Sequence, residues 1–462
     1  MKKIVVLILL VAVVVAGAPF MLGFEIESRY RGLLAQFEEA GYELTAHDYQ
    51  RGVFNSEAVS DLEIPMMTAE GQNEPLKFKL ISHIMHGPYS PDAGWFGQLA
   101  QFKTDIHYQD KPIFPEQMNA NMQTTLMFNG DGQTSFDMPA FLEPMQLDDG
   151  VLLTFSGVNG VFNFNVVSGH FDSRFDSAGF SVNSPGQGQI TLKDIQLQSV
   201  SDRGLEDLML GGGFARVGML SFNDQTDGFA MNMQGLEVGA DTSAGEKTID
   251  MTINYAVDAI ELPGEKLGRS EIELQFSSLD AKAIASIQQA LKVFQKNDGL
   301  TADQKMTALM GSLMAASPSL LQHDPKFAIT KMNIATPEGL LKAAFSLGTK
   351  GMTIADINML PLAMAKILAD INLQVPENVV IDGMFEYFRP QLALQLQAQS
   401  QDDAEVTAET IDDATHEFVK LQLESVIEQK LVERQGDMLS VSASMKDGSI
   451  SVNGKPMALP GM

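Results

Sequence analysis

The chain has 462 residues, 45% of them apolar and 19% charged, which is material for one or several ordinary hydrophobic cores. A formal charge of −28 speaks against binding to nucleic-acid phosphates or anionic lipid surfaces, and against a role that needs either. The absence of cysteine excludes a disulfide framework, a thiolate-held metal and a thiol nucleophile.

Lys2 and Lys3 precede an uncharged run from Ile4 to Phe24. As a helix that run is about 30 Å long, the thickness of a bilayer core. A cleaved signal peptide ending at Ala16-Gly17-Ala18 is the rival reading. Against it, Pro19 would directly follow the cut and apolar residues continue to Phe24. Residues 1–24 are therefore expected to form a transmembrane anchor. Lys2 and Lys3 before it and Glu25 and Glu27 after it place the N-terminus in the cytoplasm. The bulk of the chain then lies on the far side, the periplasm of a Gram-negative bacterium. Residues 25–41 read as an amphipathic helix, with Ile26, Tyr30, Leu33, Leu34 and Phe37 at helical spacing and Gly41 as its stop.

From 42 to 277 the apolar period changes to two. VFNFNV (161–166) and IDMTINYAVD (249–258) alternate cleanly, and NGDG, DDG, VNG, NSPG and DQTDG supply turn signals between runs. The pattern predicts a large antiparallel sheet with one wet face. A helical block is expected over 278–322, with Ile284, Ile287, Leu291 and Phe294 on one stripe and Met306, Leu309, Met310 and Leu313 on another. A β-hairpin follows over 323–350. A second helical block covers 351–435, with helices at 361–371, 376–398 and 411–434. The chain closes over 436–462 with a hairpin turning at Asp447-Gly448. The fold class read from this is α+β, predominantly antiparallel β. It begins with a transmembrane helix, followed by a large curved sheet with two helical blocks packed on it.

Two segments invite a chemical reading. SHIMHGPYS (82–90) sets His83 and His86 three residues apart. A shared metal ion would need both on one side, whereas KFKLISHIM (77–85) reads as a strand, on which residues three apart face oppositely. Gly87-Pro88 is then a turn, and His86 is expected to bond backbone nearby, in the YQRGVF strand. YQRGVFNSEA (49–58), read as one strand, puts Tyr49, Arg51, Val53 and Asn55 on one face and Gln50, Gly52, Phe54 and Ser56 on the other. Arg51 suits a carboxylate partner or a lipid phosphate. Arg51, Phe54, His86 and Tyr89 are the candidate ligand- or partner-contacting residues. GADTSAGEKT (239–248) lacks phosphate-loop spacing and sits in a hairpin, so no nucleotide is expected. No metal, cofactor or catalytic set is read from the chain. The methionines at 306, 310, 314, 359 and 364 read as core filler under helices rather than as an adaptable groove.

Taken together, the N-terminal run, YQRGVFNSEA, MHGPYS and KDGSISVNGKPM (446–457) resemble the YdgA-like bacterial envelope proteins of unknown function. That family pattern is an anchor, a Y-x-R-G-x-F-x-S element, an H-G-P element and a closing x-x-G-x-I-x-x-N-G-x-x-M hairpin. It maps here onto Tyr49, Arg51, Gly52, Phe54 and Ser56, then His86, Gly87 and Pro88, then Gly448, Ile450, Asn453, Gly454 and Met457. The resemblance implies an inner-membrane-anchored periplasmic protein and no particular reaction. A looser architectural likeness is to AsmA-type envelope proteins, whose sheets curl into lipid-carrying grooves. The expected function is non-enzymatic: binding of a lipid or an envelope partner by the curved sheet. The alternatives are an interaction scaffold with a closed core, or a hydrolase using His86.

Overall fold

The computed structural model describes residues 22–32, 34, 43–67, 73–87, 98–108, 110–113, 120–141, 143–146, 150–226, 228–295, 302–357, 359–399 and 407–457. The chain divides into two compact units, Met1–Phe229 with Ile287–Gly311 and Ala230–Ser286 with Ser312–Met462.

In the first unit, helix α1 (residues 22–32) precedes a meander. Its strands β1 (Glu43–Arg51), β2 (Asn55–Met67), β3 (Asn73–His86) and β4 (Gln98–Tyr108) pair antiparallel in chain order. The order continues through Asn121–Met127, Asp131–Met138, Val158–Asn165, His170–Ser184, Gly188–Arg203 and Met209–Asp224. Because side chains alternate with period two, the register sorts the whole sheet into two faces. One face carries Leu80, Ile84, Phe102, Leu126, Phe136, Phe162, Phe175 and Leu197, and the other carries residues such as Glu57, Lys79, Lys103, Gln133, Asp176 and Gln196. Hydroxyls within the apolar face bond one another across strands. Ser82 and Thr104 are 2.9 Å apart, Thr124 and Thr134 2.8 Å, and Ser173 and Ser199 2.8 Å. Each of these six hydroxyls thus keeps a partner without water.

α1 covers the β1–β4 end of this face. Ile26, Tyr30 and Leu34 join Leu44, Ala58, Ile84, Leu99, Ala100, Phe102 and Leu126 in the core cluster. The expected membrane span lies outside the described residues up to position 21. Leu22, Gly23 and Phe24 are helical and continuous with Glu25 in α1, and Gly23 is buried. Among the described residues no helix is long and apolar enough to cross a membrane.

In the second unit the strands Ala230–Ala244, Thr248–Val257, Ser270–Asp280, Lys326–Thr336, Gly339–Thr349, Ile367–Pro376, Met438–Lys446, Ser449–Val452 and Lys455–Met457 again pair in chain order. One cross-strand row reads Ile253, Leu274, Ile329, Phe345, Ile371, Ala443, Val452. The helices Glu377–Gln399 and Ala408–Glu428 pack together through Phe388 on Phe418 and an Arg389–Asp412 bond of 2.6 Å. The final strand is short and carries Lys455 and Pro456, residues that discourage further edge pairing.

Four expectations about elements need correction. Residues 361–371 are not one helix, because Leu360–Lys366 is helical and Ile367–Pro376 is a strand paired on both sides. The helix expected to end at 434 stops at Glu428, and Glu433–Gln435 forms a short strand. VNG (158–160) lies inside a strand, while the turn falls at 166–169, where Asn165 Oδ1 accepts from Val167 and Ser168 N–H at 2.8 Å each. Met306, Met310, Met314 and Met359 are exposed rather than core filler.

Candidate functional site

The residues singled out around positions 50 and 86 meet at one end of the first unit's sheet, under the start of α1. YQRGVFNSEA is not one strand. Gly52 N–H donates to Asn55 O at 2.8 Å, closing a tight turn between β1 and β2. Arg51 therefore pairs with Ser56, and Tyr49 with Ala58. Tyr49, Arg51 and Ser56 consequently share the apolar face, which corrects the placement of Ser56 on the opposite side. The turn resets the period-two count.

His86 ends β3 on that same face. Its N–H donates to Phe54 O at 2.9 Å, its Nε2 lies 2.8 Å from Ser56 Oγ, and its Nδ1 is 3.3 Å from Val53 O. His86 is 4% and Ser56 6% exposed, so the pair is sealed from bulk water. Gly87 N–H then donates to Leu99 O at 2.7 Å, and a Cβ at position 87 would overlap the Gln98 carbonyl. A glycine here permits the close approach of β3 and β4. Gly23 of α1 does the same from above. A Cβ there would sit 2.8 Å from His86 Cε1 and 3.0 Å from Arg51 Cδ.

Arg51 Nη1 donates to Glu27 Oε2 at 2.9 Å, and its guanidinium carbon lies 3.5 Å from the centre of the Phe24 ring. One turn further along α1, the Tyr30 hydroxyl and Ser60 Oγ are 2.7 Å apart, and the Tyr30 ring stacks on Phe102 at 5.9 Å. Burial pushes the Tyr30 phenol above its ordinary pKa, with the Ser60 hydrogen bond opposing. Burial also raises Tyr49, partly offset by Ser56.

His83 faces the other way, as the strand period dictates, with Nδ1 3.3 Å from Glu57 Oε2 and Nε2 4.0 Å from Asp105 Oδ2. The two histidines thus share no ion. Among the described residues no group of three or more His, Asp or Glu is arranged to hold a metal. A shallow cleft of about 400 Å³ opens beside the turn, bordered by Arg51, Gly52, Ser56, His83 and Met85. Phe54 is exposed. Pro88 and Tyr89 lie outside the described residues. Gly448, Asn453 and Gly454 belong to the second unit. There Asn453 adopts φ 48°, accepts from Ser442 N–H at 2.8 Å, and donates to Lys430 O and Leu431 O at 3.2 Å each.

A family model described as "Bacterial protein of unknown function (DUF945)" matches residues 1–460. The chain belongs to this family. No curated protein and no solved structure matches it. Within this DUF945 chain, sequence reasoning missed Gly23, Phe24, Glu27 and Ser60 as members of the site. The available signal was Ser56, Ala58 and Ser60 at alternate positions of β2, small residues that let a helix lie close.

Proposed function

We propose that the protein is a membrane-anchored periplasmic envelope protein that holds the acyl part of a lipid on the apolar face of its antiparallel sheet, without catalysing a reaction. The observation that carries this is the second unit's apolar face. The row through Ile253, Leu274, Ile329, Phe345, Ile371, Ala443 and Val452 is apolar throughout, with Thr242 and Ser270 as polar members of the rows beside it, yet Val238, Tyr255, Leu347 and Ile371 on this face remain exposed. Leu347 is 43% and Ile371 41% exposed, although each lies between apolar neighbours. Apolar surface continuous over adjacent strands and left open to water is the mark of a binding surface. The likeness to YdgA-like and AsmA-type envelope proteins supports the same reading, and the apolar run before α1 supports the anchor. The His86 site reads as structural. Both ring nitrogens are engaged, the Ser56 hydroxyl is buried, and the Nδ1 contact is a backbone carbonyl rather than a carboxylate.

Native mass spectrometry with lipid extraction on the full chain tests the proposal. Phospholipid retained at fixed stoichiometry, and lost in Ile371→Asp, is the expected result; a well-folded, lipid-free protein overturns it. A second reading, a protein partner, rests on the exposed stripe Met306, Met310 and Met314, whose flexible thioethers suit an apolar partner helix. Crosslinking from these positions in intact cells tests it, and loss of lipid binding without loss of crosslinks would favour it.

A further inference from the structure

We propose that the β1–β2 turn and the first residues of α1 form a rim that sits in the lipid interface, so that the sheet touches the membrane directly rather than hanging from its anchor. The inference rests on the anchor proposed above and goes beyond it by assigning a second, peripheral contact.

Four observations converge. Tight turns between strands usually carry Gly, Asn, Asp, Pro or Ser. Here the turn after Gly52 presents Val53 at 45% and Phe54 at 56% exposure. Phe24, 52% exposed, stands next to that turn, because its ring lies under the guanidinium of Arg51, the last residue before it. The apolar run Ile4–Met21 joins α1 at Leu22, two residues before Phe24. Whatever that run does, it arrives at this end of the unit.

Charge agrees as well. Glu25 is bonded to Arg29 at 2.8 Å, while Glu27 is shared by Arg31 at 3.0 Å and Arg51 at 2.9 Å. Three guanidiniums meet two carboxylates here, and Glu57, cross-strand from Gln50, is a third acid beside the turn, so the rim is close to neutral in a chain whose total is −28. Phe and other apolar side chains beside basic ones are what surface-lying segments set into the boundary between headgroups and acyl chains. Gly23 fixes the geometry. Its lack of a side chain lets α1 lie against His86 and Arg51, so the helix that carries Phe24 is packed on the strands that carry the turn with Phe54.

The test uses the full chain with its single tryptophan removed by Trp95→Phe and an indole introduced by Phe54→Trp or, in a second variant, Val53→Trp. Gln196→Trp, on the polar face of the sheet, is the control. Each protein is reconstituted into phosphatidylcholine–phosphatidylglycerol vesicles containing lipid brominated near the headgroup end of the acyl chain. The expected result is flotation of all three, with a blue-shifted, strongly quenched emission for the turn variants and a water-like, unquenched emission for the control. Flotation with unquenched turn indoles overturns the rim and leaves the anchor standing. A full chain that does not float overturns both.

Discussion

Replacing Gly23 and Gly32 by alanine in the same helix should have opposite consequences. In a helix interior, alanine is favoured over glycine by about 1 kcal/mol. A methyl group at Gly32 would meet no atom within 4 Å, so Gly32→Ala gains that propensity and nothing opposes it. At Gly23 the new methyl would lie 2.8 Å from His86 Cε1, and 3.0 Å and 3.3 Å from Arg51 Cδ and Cγ. The arginine stem can swing aside at the expense of its Glu27 bond. The imidazole has less freedom, because Ser56 and Val53 hold both of its nitrogens. Overpacking of this kind costs about 1–3 kcal/mol, which outweighs the propensity gain. The two variants should therefore differ by about 2 kcal/mol in the stability of the docked helix, about 30-fold in its opening constant. Native-state hydrogen exchange of the α1 amides, read by mass spectrometry, measures this locally and avoids treating two units as one transition. In a His86→Ala background the penalty at Gly23 should shrink. If Gly23→Ala protects α1 as much as Gly32→Ala does, the close contact with His86 does not govern helix docking and the argument fails.

Tyr30→Phe should cost about 1 kcal/mol in the urea unfolding of the first unit, because Ser60, fully buried, loses its 2.7 Å partner; an unchanged midpoint would show that Ser60 finds another. Asp356 accepts from Lys366 Nζ at 2.7 Å and from Thr353 Oγ1 and N–H at 2.6 and 2.7 Å, which hold its carboxyl at about 2 instead of the ordinary 3.8. Its contribution to folding is present above pH 3.8 and disappears as the pH falls from there through about 2. Carbon NMR should find that low midpoint and see it climb in Lys366→Met; an ordinary midpoint in the parent chain would refute the cluster. Asn453→Ala should lower the second unit's stability by about 2 kcal/mol, the sum of left-handed backbone strain and lost hydrogen bonds. Asn453→Gly should recover the backbone part only, and equal losses for the two would contradict that division.

The sheet was legible because its two faces differ so sharply in polarity. IDMTINYAVD shows the alternation directly, and Asp447-Gly448 marks its hairpin through two successive positive φ values, 51° and 73°. The strand Ile367–Pro376 was hidden by Leu368, which breaks the alternation of Ile367, Ala369, Ile371, Leu373 and Val375 and extends the helical spacing of Leu360–Lys366. The helix stop at Glu428 has no glycine or proline beside it. It depends on Lys430 at φ 59° and on Asn453, more than twenty residues away, bonding the freed carbonyls of Lys430 and Leu431. At the site, the bond of His86 to backbone of the YQRGVF segment was legible and is made to Val53 and Phe54, but the contact of His86 with Ser56 beneath α1 was not. It depends on the turn at Gly52 and on Gly23, whose role exists only once α1 is laid on the sheet.

In both units spatial order follows chain order, strand after strand. A chain made on the ribosome emerges from its N-terminus first. In this meander most newly emerged strands find their partner already made behind them, so the sheet can be laid down at the pace of synthesis. Most connections to be closed are short, the exceptions being the helical insertions between Ser270–Asp280 and Lys326–Thr336 and between Ile367–Pro376 and Met438–Lys446, and the exposed growing edge is the next strand's own template rather than an invitation to a neighbouring chain.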